Sequence, residues 1–196
     1  MKNRITRILN IGAILILIWI ADGCSSVPIT GRRQVLLMPE SQMMTMSFSQ
    51  YDEFLKENKL SSDTKNAELV KTVGARISAA VEKYMADQGL SSKLEGYAWE
   101  FKLVQDDTPN AWCMPGGKVV FYTGILPFTQ DANGMAVVMG HEIAHAVARH
   151  GNERMSQQMI TQFGSEVGNV VLAEKSAETK QIFSSIYGVG SQYLVA

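Results

Sequence analysis

The spacing of apolar residues changes along the chain, and each change marks a new element. From Glu40 to about Lys56, Met43, Met44, Phe48, Tyr51 and Leu55 recur at helical spacing. A methionine-rich face of this kind fills irregular core space. A second helix follows a cap at Ser62 or Asp63; Leu69, Val73, Ile77, Val81 and Tyr84 step along it, and Gly89 marks its end. Trp99-Glu100-Phe101-Lys102-Leu103 alternates apolar and polar, the period of a half-buried strand, until Asp106-Asp107-Thr108-Pro109 breaks it. Ala111 to Met114, a Pro115-Gly116-Gly117-Lys118 turn and the run Val119 to Thr123 read as a hairpin. Beyond Gly124 and Pro127, Thr129 or Asp131 caps a helix running to His150, with Gly151 at its end. From Asn152 onward, Met155, Met159, Phe163, Val167, Val170 and Val171 make one apolar stripe, and Ile182, Phe183, Ile186 and Tyr187 another. Together these elements predict an α+β domain, mainly helical, with a small antiparallel sheet of about three strands.

Ahead of the first helix, residues 25–39 hold Ser25, Ser26, Pro28, Gly31 and Pro39 without helical period, and read as a tether. Before it, Lys2, Arg4 and Arg7 precede the apolar run Ile8 to Ile20. A spanning helix needs roughly 17–25 apolar residues, so this shorter run reads as an export signal rather than a membrane span. Ala21-Asp22-Gly23-Cys24 resembles a bacterial lipobox, with Asp22 its one departure; in that pattern the Cys24 thiol is acylated and becomes the new N-terminus. An uncleaved short anchor is the alternative, and either reading leaves the domain exported and attached to a membrane.

Charge narrows the partners. The chain has 18 Lys plus Arg against 19 Asp plus Glu, and loss of residues 1–23 removes three of the former and one of the latter. A mildly acidic remainder predicts no nucleic-acid partner, because phosphate binding needs a clustered basic face. Cys113, the other cysteine, has no partner for an internal disulfide once Cys24 is lipidated, and reads as a buried thiol.

His141-Glu142-Ile143-Ala144-His145 carries the chemistry. Positions four apart share one helix face, so two imidazoles can reach one Zn²⁺ at about 2.0–2.1 Å each. Glu142, about 100° round the helix, is placed to take the proton of a water that zinc acidifies and to pass it to a leaving amine. A packing role for two histidines and a carboxylate would bury polar groups without partners, at several kcal/mol. His150, five residues past His145, is expected to turn away from that face and to serve outside the ligand shell or at the helix end. The downstream carboxylates are Glu166, Glu174 and Glu178; Glu166 falls on the polar side of its helix, so a third protein ligand is expected beyond Ala196.

Asn110 to Lys118, Tyr122-Thr123-Gly124, Gly140 to Ala146, Arg149-His150-Gly151 and Glu153-Arg154 together resemble the HtpX-like metallopeptidases. That family also holds the CAAX prenyl proteases, mitochondrial Oma-type proteases and periplasmic lipoproteins of the LoiP and BepA kind, and the lipoprotein branch fits Cys24. The resemblance implies a gluzincin fold, with one bound Zn²⁺ and a third ligand in a downstream E-x-x-x-D pattern. It also implies substrate laid as an added strand on the sheet edge, contacting Asn110 and Ala111; for Asn110, a bond to the loop after Pro109 is the equal alternative. On this reading residues 1–23 are a signal peptide, 24–39 a lipidated tether and 40–196 a zinc metallopeptidase domain lacking its C-terminal part. The protein is then expected to be lipid-anchored at the envelope, at the outer membrane facing the periplasm. There it would cleave misfolded or unassembled proteins. A catalytically inert, chaperone-like or binding lipoprotein on the same fold is the alternative.

Overall fold

The computed structural model describes residues 24–185. The expected signal peptide, Ile186, Tyr187 and the remainder to Ala196 lie outside them. In chain order the elements are β1 (Cys24–Ser26), β2 (Arg33–Val35), α1 (Glu40–Glu57), α2 (Thr64–Asp87), β3 (Glu100–Val104), β4 (Ala111–Met114), β5 (Lys118–Tyr122), α3 (Leu126–Thr129), α4 (Ala132–Val147) and α5 (His150–Val171). A further helical stretch covers 177–185. The described residues fall into two compact units, one holding residues 27–31 and 38–151, the other 24–26, 32–37 and 152 onward.

The larger unit is organised on the sheet. Its strand order is β3-β5-β4, with β4 and β5 an antiparallel hairpin in the register Ala111↔Phe121. β3 runs parallel to β5, pairing Phe101 with Val119 and Val104 with Tyr122. The all-antiparallel sheet expected from the sequence is therefore corrected to a mixed one. Alternation identifies a strand, but it does not say which neighbour the strand will pair with.

Alternation does decide which side chains face which helices. Phe101, Leu103, Ala111, Val119 and Phe121 join Val70, Val73 and Met85 of α2 and Met135, Met139, Ile143 and Val147 of α4 in the main core. Val104 and Val120 face the other way, into a second cluster with Tyr51 of α1, against which Phe54, Leu55, Trp112 and Met114 pack. The Trp112 ring lies edge-on to Phe54, with ring centroids 5.0 Å apart. The Asp63 carboxylate accepts the Asn66 amide at 3.0 Å, which fixes the start of α2.

In the smaller unit, β1 and β2 pair antiparallel, Cys24 opposite Val35 and Ser25 opposite Gln34. Arg32 grips Glu153 of α5 with both Nη1 and Nη2, at 2.7 and 2.5 Å, and the Leu37 amide donates to Ser156 Oγ at 2.8 Å. The stretch read as a tether is thus a hairpin fastened to the first turns of α5. Its polar composition concealed contacts that depend on residues more than a hundred positions away. The same face of α5 continues into the expected apolar stripe, where Phe163 is 63% and Val170 76% exposed.

Candidate active site

α4 is held at its start, along one side and at its end. The Asp131 side chain accepts the Asn133 and Gly134 amides at 2.8 and 2.9 Å, satisfying two of the helix's orphan donors. At Gly134 a Cβ would sit 2.0 Å from the Thr129 carbonyl oxygen, so only glycine lets α3 and α4 approach this closely. Met135, Met139, Ile143 and Val147, four residues apart, are at most 3% exposed. Each contributes about 1.5–3 kcal/mol of burial and fixes the helix's rotation against the sheet.

That rotation decides where the histidines go. His141 and His145 lie two positions from the buried residues Met139 and Ile143, on the opposite, open face. Their Nε2 atoms meet at 3.0 Å, with the rings at 84°. Two donors about 2.0–2.1 Å from one tetrahedral ion stand about 3.3 Å apart, so the observed spacing is close to that of a shared Zn²⁺. A proton on one nitrogen makes this contact a hydrogen bond; with both lone pairs facing, a cation can take the place of that proton. The donor set fits zinc. Among the described residues no group of three His, Cys, Asp or Glu side chains converges on a metal position, so these residues supply two donors.

The expected helix to His150 is interrupted. α4 ends at Val147, Ala148 caps it, and Arg149 adopts a left-handed φ of 63° before α5 begins. The break overturns the expectation that His150 turns away. Its Nδ1 lies 2.6 Å from Nδ1 of His145, the nitrogen opposite the one facing His141. Arg149 is itself paired with Glu40, Nε to Oε2 at 3.4 Å, both side chains largely buried.

Glu142 lies near enough to β4 for its charge to reach Cys113. Burial, and then the negative charge of Glu142, push the Cys113 thiol of β4 up to about 12. Cys113 is therefore an inert thiol at neutral pH, as its apolar setting implies. β4 packs along α4 and is one of the two edge strands of the sheet. The Tyr122 amide donates to the Asn110 carbonyl at 3.0 Å, so the Asn110 main chain faces β5. By alternation Trp112 does too, while Ala111 and Cys113 direct N–H and C=O groups to the edge that no strand of the described residues pairs. Of the two expected substrate contacts, Ala111 has its main chain in position; Asn110 has only its exposed side chain to offer. The register also adds the Cys113 main chain, which only the pairing reveals.

A helix presenting H-E-x-x-H, with its imidazoles converging beside an open strand, is the architecture of the metallopeptidase class. Residues 72–195 match Peptidase family M48, and the chain belongs to that family. It is 40% identical over 80 residues to the mitochondrial metalloendopeptidase OMA1 of Schizosaccharomyces pombe, covering 41% of this chain and 23% of that one. It is 28% identical over 136 residues to human metalloendopeptidase OMA1, covering 69% and 25%. With the beta-barrel assembly-enhancing protease of Escherichia coli it shares 31% identity over 84 residues, covering 41% and 17%. The chain thus spans about a quarter or less of the length of these relatives.

Proposed function

We propose that this protein is a zinc-dependent metalloendopeptidase of the cell envelope. The observation that carries the reading is the convergence of His141 and His145 Nε2 at 3.0 Å on the open face of α4. When bound there, zinc would acidify a water and polarise a substrate carbonyl. Glu142, next to the first ligand, would take a proton from such a water and pass it to the leaving amine. Ala111 and Cys113 pair main chain to main chain with an extended segment of substrate, which sets its register over Glu142. Recognition through backbone groups selects unfolded segments, because a folded protein has already paired its own. Misfolded or unassembled proteins are therefore the substrate class.

The envelope location rests on the charged start and apolar run of residues 1–20 and on Cys24, read as the lipidated residue of an outer-membrane protein facing the periplasm. Membership of a peptidase family that includes the metalloendopeptidase OMA1 and an E. coli protease named for β-barrel assembly supports the activity.

The test uses full-length protein carrying stoichiometric zinc and an unfolded protein substrate. Cleavage should stop with a chelator and return with zinc. Glu142→Gln should keep the zinc and lose activity by about 10²–10⁴-fold. Cleavage undiminished in that variant would overturn the mechanism. The presence of only two donors among the described residues favours a second reading, an inert binding protein on the same fold. Full-length protein that holds no zinc yet retains unfolded chains would establish it.

A further inference from the structure

A neutral imidazole that ligates a metal must keep its proton on the nitrogen facing away from the ion. For His145 the nitrogen facing His141 is Nε2, and the one facing away is Nδ1. What stands at Nδ1, 2.6 Å away, is Nδ1 of His150. We propose that His150 is a positioning residue for the metal site. It accepts the Nδ1–H of His145 and so holds that ring in the tautomer and orientation that leave the Nε2 lone pair open to the ion. This rests on the zinc reading above and deepens it.

The local backbone is built for this contact. On an unbroken helix two residues five apart lie about 140° round the axis from one another, and their rings would diverge. Here the helix is broken at Arg149, whose φ of 63° is uncommon for a residue with a long side chain. The Ala148 amide still closes onto Ala144 and the Arg149 amide onto Ala146, so α4 is complete up to the break. The Arg149–Glu40 pair holds the turn from outside, and His150 emerges as the first residue of the next helix, aimed back at His145. Strain of this kind persists where the surroundings fix it and where it aims a side chain.

The consequence for metal binding is preorganisation. Without an acceptor at Nδ1, His145 can carry its proton on Nε2 and must change tautomer and re-orient before it can ligate. The loss is then in affinity for the metal, before any substrate is present.

The imidazole signals of His141, His145 and His150 are assigned by single substitutions. Metal-free full-length protein, labelled with ¹⁵N in the imidazole rings and held at mildly alkaline pH, should show His145 protonated at Nδ1. In His150→Ala that signal should shift toward the Nε2–H form. In His150→Asn, where the amide oxygen can stand near the lost Nδ1, it should return. Zinc affinity, measured by competition with a chromophoric chelator, should fall about 10–100-fold in His150→Ala and recover most of that loss in His150→Asn. Thermal unfolding in chelator separates this from a structural role, which would lower both variants alike. An unprotonated His145 Nδ1 in the unsubstituted protein, or unchanged tautomer and affinity in His150→Ala, would overturn the proposal. Unsubstituted protein that takes up no zinc, yet keeps the Nδ1–H form, would overturn the zinc reading and the positioning role with it.

Discussion

Gly74 sits in the middle of α2, where glycine is normally about 1 kcal/mol worse than alanine. Replacing it by alanine should therefore stabilise an isolated helix. In this fold it should do the reverse. A Cβ at position 74 would lie 2.3, 2.4 and 2.6 Å from Cδ1, Cγ and Cε1 of Phe101. Ordinary carbon–carbon contact is about 3.5–4.0 Å, so the ring would have to retreat by more than about 1 Å. It has little room: Phe101 is 8% exposed, is paired to Val119 in the sheet, and has Trp99 stacked at 6.4 Å. Overpacking of this kind costs about 1–3 kcal/mol at ordinary sites, and a ring fixed in a strand belongs at the upper end. After the helix gain is subtracted, Gly74→Ala should lose about 2 kcal/mol. Urea unfolding followed by circular dichroism would read this as a midpoint lowered by about 1 M, at a slope near 2 kcal/mol/M. The double variant Gly74→Ala/Phe101→Leu isolates the clash. Against Phe101→Leu alone, the alanine should be neutral or stabilising by up to about 1 kcal/mol. A Gly74→Ala protein as stable as the parent, or an equal loss in the leucine background, would refute the steric account.

Two further outcomes follow from groups already described. Asp131→Ala should destabilise the protein by about 1 kcal/mol through loss of the α4 cap, seen in the same unfolding assay, whereas Asp131→Ser should recover most of it. Burial pushes the Glu100 carboxyl up, but hydrogen bonds from Lys102 and Lys118 outweigh it and hold the group below the usual carboxylate range. Its ionised form therefore adds stability above that range and loses it as pH falls through the lowered value. The stability gap between the parent protein and Glu100→Gln should be largest near neutral pH and should close in acid; a gap that widens on acidification would contradict the assigned pairing.

The helices, the hairpin and the H-E-x-x-H pair were legible because each is written in local spacing. Asp131 caps α4 through amides two and three residues on, and Met135, Met139, Ile143 and Val147 announce the buried face by periodicity alone. What escaped was non-local. β3 reads as a strand, but its parallel place beside β5 depends on how α2 packs over Phe101, and Gly74 in a helical run gives no sign that it accommodates a ring. The β1–β2 hairpin depends on Arg32 meeting Glu153. His150 was expected outside the ligand shell or at the helix end, but its direction was missed, because helical phase was carried through Arg149, a residue whose side chain gives no warning of a positive φ. The motif showed the two histidines and the carboxylate, and His150 was named beside them; its contact with His145 was visible only in three dimensions.

The edge strand β4 is short, at four residues, and has a proline immediately before Asn110 and another immediately after Met114. Neither Pro109 nor Pro115 has an amide hydrogen, so neither can extend a ladder of pairs along that edge. The exposed rung is about 14 Å long at the usual rise per residue. That is enough to hold a few residues of a passing chain and too little to seed stacking of one copy on another. An edge this short, closed by proline at both ends, carries little risk of edge-to-edge joining between copies.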